Sequence, residues 1–252
     1  MKAIILAAGR GSRLMPYTED CPKCLTELDG RPLIHRQIEV LRDEGVSDII
    51  ILTGYRAEML DLPGVRTIHN PAWGSTNMVE SLFCAEAEFG DDLLVCYSDI
   101  LYSRHVLRAV LASPQDISIA VDHDWKSYWE QRFDDPLSDA ESLKLSADGA
   151  IIDIGNKVSN IDEIEAQYIG LCRFRSAGIT ALRAARCAWS TETRPWMARR
   201  SAHMAYMTDL LTEMILRGSI LSAVPINGGW VEIDTPHDLT VALELIKQGR
   251  LT

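Results

Sequence analysis

The chain has 252 residues, of which 47% are apolar and 24% charged, and its formal net charge is −11. That balance supports a full hydrophobic core and excludes a disordered chain, while the surplus of acids argues against a nucleic-acid surface. No apolar run reaches the roughly 18 residues of a membrane span, and no basic stretch leads into a long apolar segment and cleavage site, so a cytoplasmic protein without membrane insertion is expected.

In chain order, the apolar run from Ala3 to Ala8 reads as a buried strand that opens into a loop with glycines at 9 and 11 and arginines at 10 and 13. Small residues let backbone N–H groups approach a phosphate closely, and arginine adds a planar cation suited to its oxygens. The spacing is neither of the two common phosphate loops: Leu14 stands where a dinucleotide fingerprint needs a small residue, and no GxxxxGK[ST] occurs. The bland alternative is an ordinary strand-to-loop turn. Cys21 and Cys24 form a CxxC, but no second pair completes a zinc site, and six cysteines are too dilute for a disulfide framework in a chain of this length.

Ile34, Ile38 and Leu41 share one face of a helix opened near Pro32 and closed by Gly45. Strands follow at 48–53, 65–69, 93–97 and 117–121, with a helical segment through Val79, Leu82 and Phe83 that ends near Gly90. Strands alternating with helices predict a three-layer α/β fold around a mostly parallel sheet. Residues 123–147 are polar and aromatic with little period, and AIIDIG and YIGLCRF read as strands, so residues of about 123–175 are expected to form an insertion over one sheet edge. Met207, Leu210, Leu211, Met214 and Ile215 line a helix face, ILSAVPI reads as a strand and DLTVALELI as a final helix. One domain spanning 1–252 is the simplest reading.

Asp99 ends the strand LLVCYS, at the carboxyl rim where open α/β sheets bind ligands, and Asp234 follows the strand-like WVEI. Two carboxylates there can hold Mg²⁺ against a triphosphate. Alternatively, each caps the helix that follows it. Lys23 and Lys157 are candidate cations on reacting phosphates, although a lone lysine is usually a solvated surface charge.

The stretch LAAGRGSRL, Leu6 to Leu14, followed by Pro22-Lys23, resembles the signature of the sugar-nucleotide-pyrophosphorylase-like nucleotidyltransferases. SDILY, WEQRFDDPLSDAESLK and DEIEAQYIGL are similar to the branch of that superfamily acting on small-molecule phosphates, the phosphocholine and phosphoglutamine cytidylyltransferases, the latter of capsule biosynthesis; the likeness runs from residue 1 to about 246. The resemblance implies a Rossmann-like nucleotidyltransferase fold with a small acceptor-side insertion, and Asp99 and Asp234 as ligands of a Mg²⁺ cofactor. It implies Arg13, Lys23 and Lys157 as the cations of catalysis, with Lys157 on the acceptor phosphate, although Asn156 and Val158 replace that lysine's usual neighbours. Nucleotide contacts would come from Leu6, Ala7, Ala8, Gly9, Gly11, Ser12, Arg13, Asn77, Ser81 and Ser98; Asn77 is equally readable as a plain helix cap. For the acceptor, Trp129 and Arg132, with Trp125, would form a wall, and Glu165 and Tyr168 lie in the segment that faces it; the bland alternative is that the tryptophans are core.

The implied reaction joins CTP and a phosphate- or phosphonate-bearing small molecule and releases pyrophosphate, with surface-polysaccharide decoration as the product's use. Such an acceptor is already an anion and needs no general base, consistent with six histidines, at 35, 69, 105, 123, 203 and 237, that form no nucleophile–base pattern. The rival readings are a sugar-1-phosphate nucleotidyltransferase using UTP, dTTP or GTP, and a non-catalytic nucleotide-binding module. A homodimer is compatible with the sequence, because a dimer face and a core face share the same periodicity.

Overall fold

The computed structural model describes residues 1–191 and 201–251. Its first half contains β1 (Lys2–Ala7), β2 (Glu27–Leu28), β3 (Arg31–Pro32), α1 (Leu33–Asp43), β4 (Ile49–Thr53), β5 (Arg66–His69), α2 (Met78–Phe83), β6 (Asp92–Tyr97), β7 (Ile100–Tyr102), α3 (Arg104–Ala112) and β8 (Ile117–Asp122). The second half contains α4 (Trp125–Arg132), β9 (Leu143–Leu145), β10 (Ile151–Ile154), β11 (Gln167–Arg175), α5 (Ser176–Thr191), α6 (Met207–Leu216), β12 (Ser222–Ile226), β13 (Trp230–Glu232) and α7 (Pro236–Lys247). No helix among the described residues is long and apolar enough to cross a membrane.

Seven strands form one sheet in the order β12-β8-β11-β6-β1-β4-β5, parallel throughout except for β11, which is antiparallel to β8 and β6. Both faces are covered, which is why β4 is apolar from Ile49 to Leu52 and has every residue buried. The pleat of β1 sends Ala3, Ile5 and Ala7 into the layer that holds α1, α3 and α7, and Ile4 and Leu6 into the layer of α2, α5 and α6. From β1 the chain moves outward through β4 to β5, then crosses back to place β6 on the other side of β1. That reversal opens a crevice beyond the carboxyl ends of β1 and β6, where doubly wound sheets bind ligands.

The expected insertion over 123–175 is corrected by β11. Gln167–Arg175 is an interior strand of the main sheet, with Cys172 in register with Val95 of β6 and Ile119 of β8. Its pairing with β8 shifts register between Tyr168 and Cys172, around Gly170, whose φ is +81° and where a Cβ would lie 2.6 Å from the Tyr97 ring. Only α4 and the β9–β10 hairpin stand outside the sheet in this stretch. The weak period of α4 also has a cause: Trp125, Tyr128, Trp129 and Arg132 recur at helical spacing and are all buried, but the last reads as polar. Helix α5, unassigned from sequence, buries Ile179, Leu182 and Ala185, a stripe too thin to announce itself.

A two-stranded antiparallel ribbon lies on the rim of the crevice: β13 pairs with β7, Glu232 facing Ile100. Asp122, buried at the end of β8, accepts hydrogen bonds from Gly228 N at 2.9 Å and from Trp230 Nε1 at 2.8 Å and so anchors β13. Gly229, with φ +76°, packs so closely that a Cβ would fall 2.4 Å from His105 Cε1. Replacing Asp122 by Ala leaves both donors unpartnered in the interior. The expected loss is about 3 kcal/mol of unfolding free energy; an unchanged urea midpoint would show that the anchor contributes nothing.

Candidate active site

The chain leaves β1 at Ala8 and enters the glycine loop. Gly11 takes φ +72°, and a Cβ on it would sit 2.8 Å from Lys23 Cβ and 2.9 Å from its Cγ and Cδ. Glycine is required twice here, for the left-handed backbone and for the space the lysine fills. Lys23 opens a single 3-10 turn over Lys23–Leu25, entered through the extended backbone of Pro22. The Pro-Lys pair thus turns the ammonium group back under the glycine loop.

The two aspartates arrive from distant parts of the chain. Asp99 lies between β6 and β7, Asp234 just beyond β13, and Ile233 N donates to Asp99 O at 2.9 Å, extending the ribbon to bring them side by side. Lys23 Nζ donates to Asp99 Oδ2 at 2.6 Å and also to Asp234 Oδ1. Arg13 Nη2 donates to Asp234 Oδ2 at 2.8 Å. Neither acid is a helix cap: Ser103 occupies that position for α3, and Thr235 forms a capping box with Asp238 for α7. Glu232, not singled out from sequence, completes a cluster in which one oxygen each of Asp99, Glu232 and Asp234 lie within 4.8 Å of one another. Its position two residues before Asp234, on the same strand face, was the available signal.

Burial alone would raise the Asp234 carboxyl, but Lys23, Arg13 and Arg132 outweigh it and hold the group below its ordinary value. Lys23 moves the other way: burial opposes its charge, and Asp99 and Asp234 more than restore it, so the ammonium stays protonated. Glu232 is pushed up, first by burial and then by the charge of Asp234, against the pull of Arg132.

Two adjoining cavities open on this cluster, of about 280 Å³ and about 210 Å³. They share a wall of Arg13, Met78, Tyr97, Asp99 and Asp234. The larger is lined by Leu6, Ala8, Gly9, Gly11, Ser12, Lys23, Asn77, Ser81 and Ser98, all expected, together with Trp73 and Thr76, which were not. Ala7 is the exception, since the pleat turns it into the opposite core. Asn77 serves both its readings: it caps α2 through its side chain, which accepts from Met78 N at 2.8 Å, and it lines the cavity.

The smaller cavity holds Tyr168 and Trp129 of the expected acceptor residues, beside Asp139, Glu141, Gln167, Tyr206, Thr208 and Glu232. Three other expectations are corrected. Arg132 does not reach the cavity; its side chain is fully buried, paired with Glu232 at 2.8 Å and Asp238 at 2.9 Å. Glu165, which precedes β11, is exposed and lines neither cavity: its N donates to Leu143 O at 3.0 Å and its side chain accepts from Leu145 N at 2.9 Å, so it is held against β9. Lys157 is exposed on the loop after β10 and lines neither cavity, although Gly155 nearby lines the smaller one. Trp125 is core, packed edge-on against Trp129 with ring centroids 5.9 Å apart.

A chamber with open backbone, a lysine and an arginine suits a polyphosphate, and a second chamber across a wall of carboxylates suits a partner for group transfer. The family model described as MobA-like NTP transferase domain matches residues 3–150. The CTP:phosphoglutamine cytidylyltransferase of Campylobacter jejuni is 37% identical over 97% of this chain and 100% of its own length. The choline-phosphate cytidylyltransferase of Streptococcus pneumoniae is 41% identical over 41% of this chain and 47% of its own. Among solved structures, the CTP:phosphocholine cytidylyltransferase from Streptococcus pneumoniae superposes with a TM-score of 0.74 at 23% identity, covering 97% of this chain and 98% of that one, a likeness of fold.

The lysine between the acids sets a pH dependence. A carboxyl held below its unfolded value near 3.8 stabilises the fold above that value, and the contribution is lost as pH falls through the folded value. In Lys23→Met the acids face one another without the cation between them, Arg13 still pairing with Asp234 alone, and the expected cost is about 3–5 kcal/mol at neutral pH. Because one member of a facing acid pair then binds a proton more readily in the folded state, the variant gains stability on acidification from neutral towards pH 4, where the Asp234 of the unaltered protein is still contributing. Urea unfolding across that range reads the sign; parallel curves for the two proteins would exclude the coupling.

Proposed function

Because the chain belongs to the MobA-like NTP transferase domain family, we propose that it is a Mg²⁺-dependent cytidylyltransferase that transfers CMP from CTP to a phosphorylated small molecule of the phosphoglutamine, phosphocholine or phosphonate type. The observation that carries this reading is the wall of Arg13, Asp99 and Asp234 shared by two cavities, with the glycine loop on one side and a polar, aromatic-lined chamber on the other. CTP occupies the larger cavity. An oxygen of the acceptor phosphate, entering from the smaller one, attacks the α-phosphorus; the α–β bridging bond breaks and its electron pair leaves with pyrophosphate. The acceptor is already ionised, so no side chain need remove a proton.

The residues fit the metal. Asp99 Oδ1 is buried with no hydrogen-bond partner, and hard carboxylate oxygens converge beside it. Asp99 and Asp234 would hold Mg²⁺, which when bound neutralises charge on the triphosphate and leaving pyrophosphate. The chain's own part is positioning and charge. Lys23, anchored under Gly11, faces the larger cavity as a fixed cation, and Arg13, whose side chain is 62% exposed, lies where both substrates' phosphates meet. That location gives Arg13 the acceptor-side role the resemblance assigns to Lys157. Leu6, Ala8, Asn77 and Ser81 surround the remaining space for base and ribose, with Trp73 beside them.

The smaller cavity combines Asp139 and Glu141 with the rings of Trp129, Tyr168 and Tyr206. Carboxylates and aromatic faces favour a positively charged group, so an acceptor carrying an ammonium beside its phosphate fits better than a neutral sugar phosphate. Use of the product in surface-polysaccharide decoration rests on the resemblance alone.

The test is a matrix of CTP, UTP, dTTP and GTP against phosphoglutamine, phosphocholine, an aminoalkylphosphonate and glucose 1-phosphate, read by pyrophosphate release and product mass. A cytidine product with an ammonium-bearing acceptor is expected. EDTA should abolish turnover and excess Mg²⁺ restore it. Lys23→Ala and Asp99→Asn should each lower kcat by about 100-fold or more. A uridine, thymidine or guanosine product with the sugar phosphate would replace this reading, and CTP binding without pyrophosphate release in any pairing would make the chain a binding module.

A further inference from the structure

We propose that Arg132 is a positioning residue that holds Asp234 at the wall between the cavities, acting through Asp238 on one side and Glu232 on the other; the inference rests on the activity proposed above. Arg132 ends α4, a helix outside the main sheet, and none of its side chain reaches solvent. It lines neither cavity, so it does not touch a ligand. Its Nε donates to Asp238 Oδ1 at 2.9 Å, its Nη1 donates to Glu232 Oε2 at 2.8 Å, and its Nη2 stands 3.9 Å from Asp234 Oδ2. Asp238 passes the restraint on: its Oδ2 accepts from Asp234 N at 2.9 Å and from Thr235 N at 2.8 Å. The backbone of Asp234 is thereby fixed by a carboxylate that the guanidinium fixes in turn.

The same helix grips the other side of the acid. Tyr128 Oη accepts from Glu232 N at 2.9 Å and donates to Glu232 O at 3.2 Å. The guanidinium carbon lies 5.3 Å from the Tyr128 ring centre, 5.1 Å from that of Trp129 and 4.9 Å from that of Phe133, which fixes its plane. Three acids converge on one planar fork, and only arginine offers donors in several directions at once; lysine would satisfy the charge but not the geometry. Since Trp129 also lines the acceptor cavity, α4 ties the placement of the acid to the wall that the acceptor meets.

Groups that orient a metal-binding carboxylate from behind typically carry 10- to 100-fold in affinity or activity. The experiment compares the unaltered chain with R132K, and, should R132K fail to fold, with the charge-balanced pair R132Q/D238N, which removes one buried charge of each sign. CTP affinity is measured by calorimetry with and without Mg²⁺, kcat and acceptor KM by pyrophosphate release, all below each variant's melting transition. The expected result is an unchanged metal-free CTP affinity, a Mg²⁺-dependent gain in affinity cut by roughly 10- to 100-fold, a similar fall in kcat, and an unchanged acceptor KM. A variant that melts earlier but keeps the Mg²⁺-dependent gain and kcat overturns the proposal in favour of a purely structural role, and one that raises only acceptor KM overturns it in favour of a direct acceptor contact. If the unaltered chain neither binds CTP nor releases pyrophosphate, the activity itself falls and this inference with it; the first two outcomes remove the inference alone.

Discussion

The pairing of β7 with β13 is the constraint on which the site depends. Its last hydrogen bond, from Ile233 N to Asp99 O, sets the two aspartates beside each other although almost the whole second half of the chain separates them. Strand side chains alternate, so a slip of one residue would turn Asp234 to the opposite face and leave Lys23 with a single acid. The register is accordingly over-determined. Asp122 holds the approach to β13, Tyr128 holds the backbone of Glu232, and Gly229 allows the contact with His105 that closes the turn.

Bringing acids together carries a penalty that the cations must offset. Asp99, Glu232, Asp234 and Asp238 lie close in a partly desolvated region, where like charges are tolerated only if interleaved with opposite ones. Lys23 stands between the first and third, Arg13 caps the third from the cavity, and Arg132 binds the second and fourth from behind. The division of exposure assigns the work. Arg13 is open to ligand, Lys23 is buried but lines the cavity, and Arg132 is sealed. A chain with a net charge of −11 thus prepares a site for an anion by placing a few cations where they cannot be diluted by the surface.

Much of this was legible in the residues because the larger cavity is built from local signals. A buried apolar strand, a glycine loop and a Pro-Lys turn lie within the first 23 residues, and each constrains backbone as much as side chain. Asp99 and Asp234 could be named because each follows a strand at the rim. The smaller cavity was less legible, for reasons that lie in burial. Arg132 and Trp125 carry the chemistry of a ligand pocket in their side chains, but the first two turns of α4 pack onto α7 and the ribbon, so their charge and aromatic surface serve the interior, and Trp129 alone of the three reaches the cavity. Glu165 and Tyr168 sit close in sequence, yet Glu165 is drawn to the edge of β9 by its bonds to Leu143 and Leu145 while Tyr168 faces the cavity from β11. Asp139, Glu141, Tyr206 and Thr208 come together from separate elements, a proximity no local pattern encodes.

The same asymmetry bears on how specificity is distributed. Apart from Asp234, every residue lining the larger cavity lies within residues 3–150, the span matched by the family model, and much of that lining is glycine loop or strand end. The smaller cavity draws Ile154, Gly155, Gln167, Tyr168, Tyr206, Thr208 and Glu232 from beyond that span. The glycine loop and strand ends of the larger chamber have little freedom to change without losing the fold, whereas side chains on separate elements can be exchanged one at a time. Asp234 is the junction: it belongs to the later segment, yet it completes the earlier one through Lys23 and Arg13. Any rebuilding of the smaller cavity's wall is therefore under a fixed requirement, to return one carboxylate to the place beside Asp99.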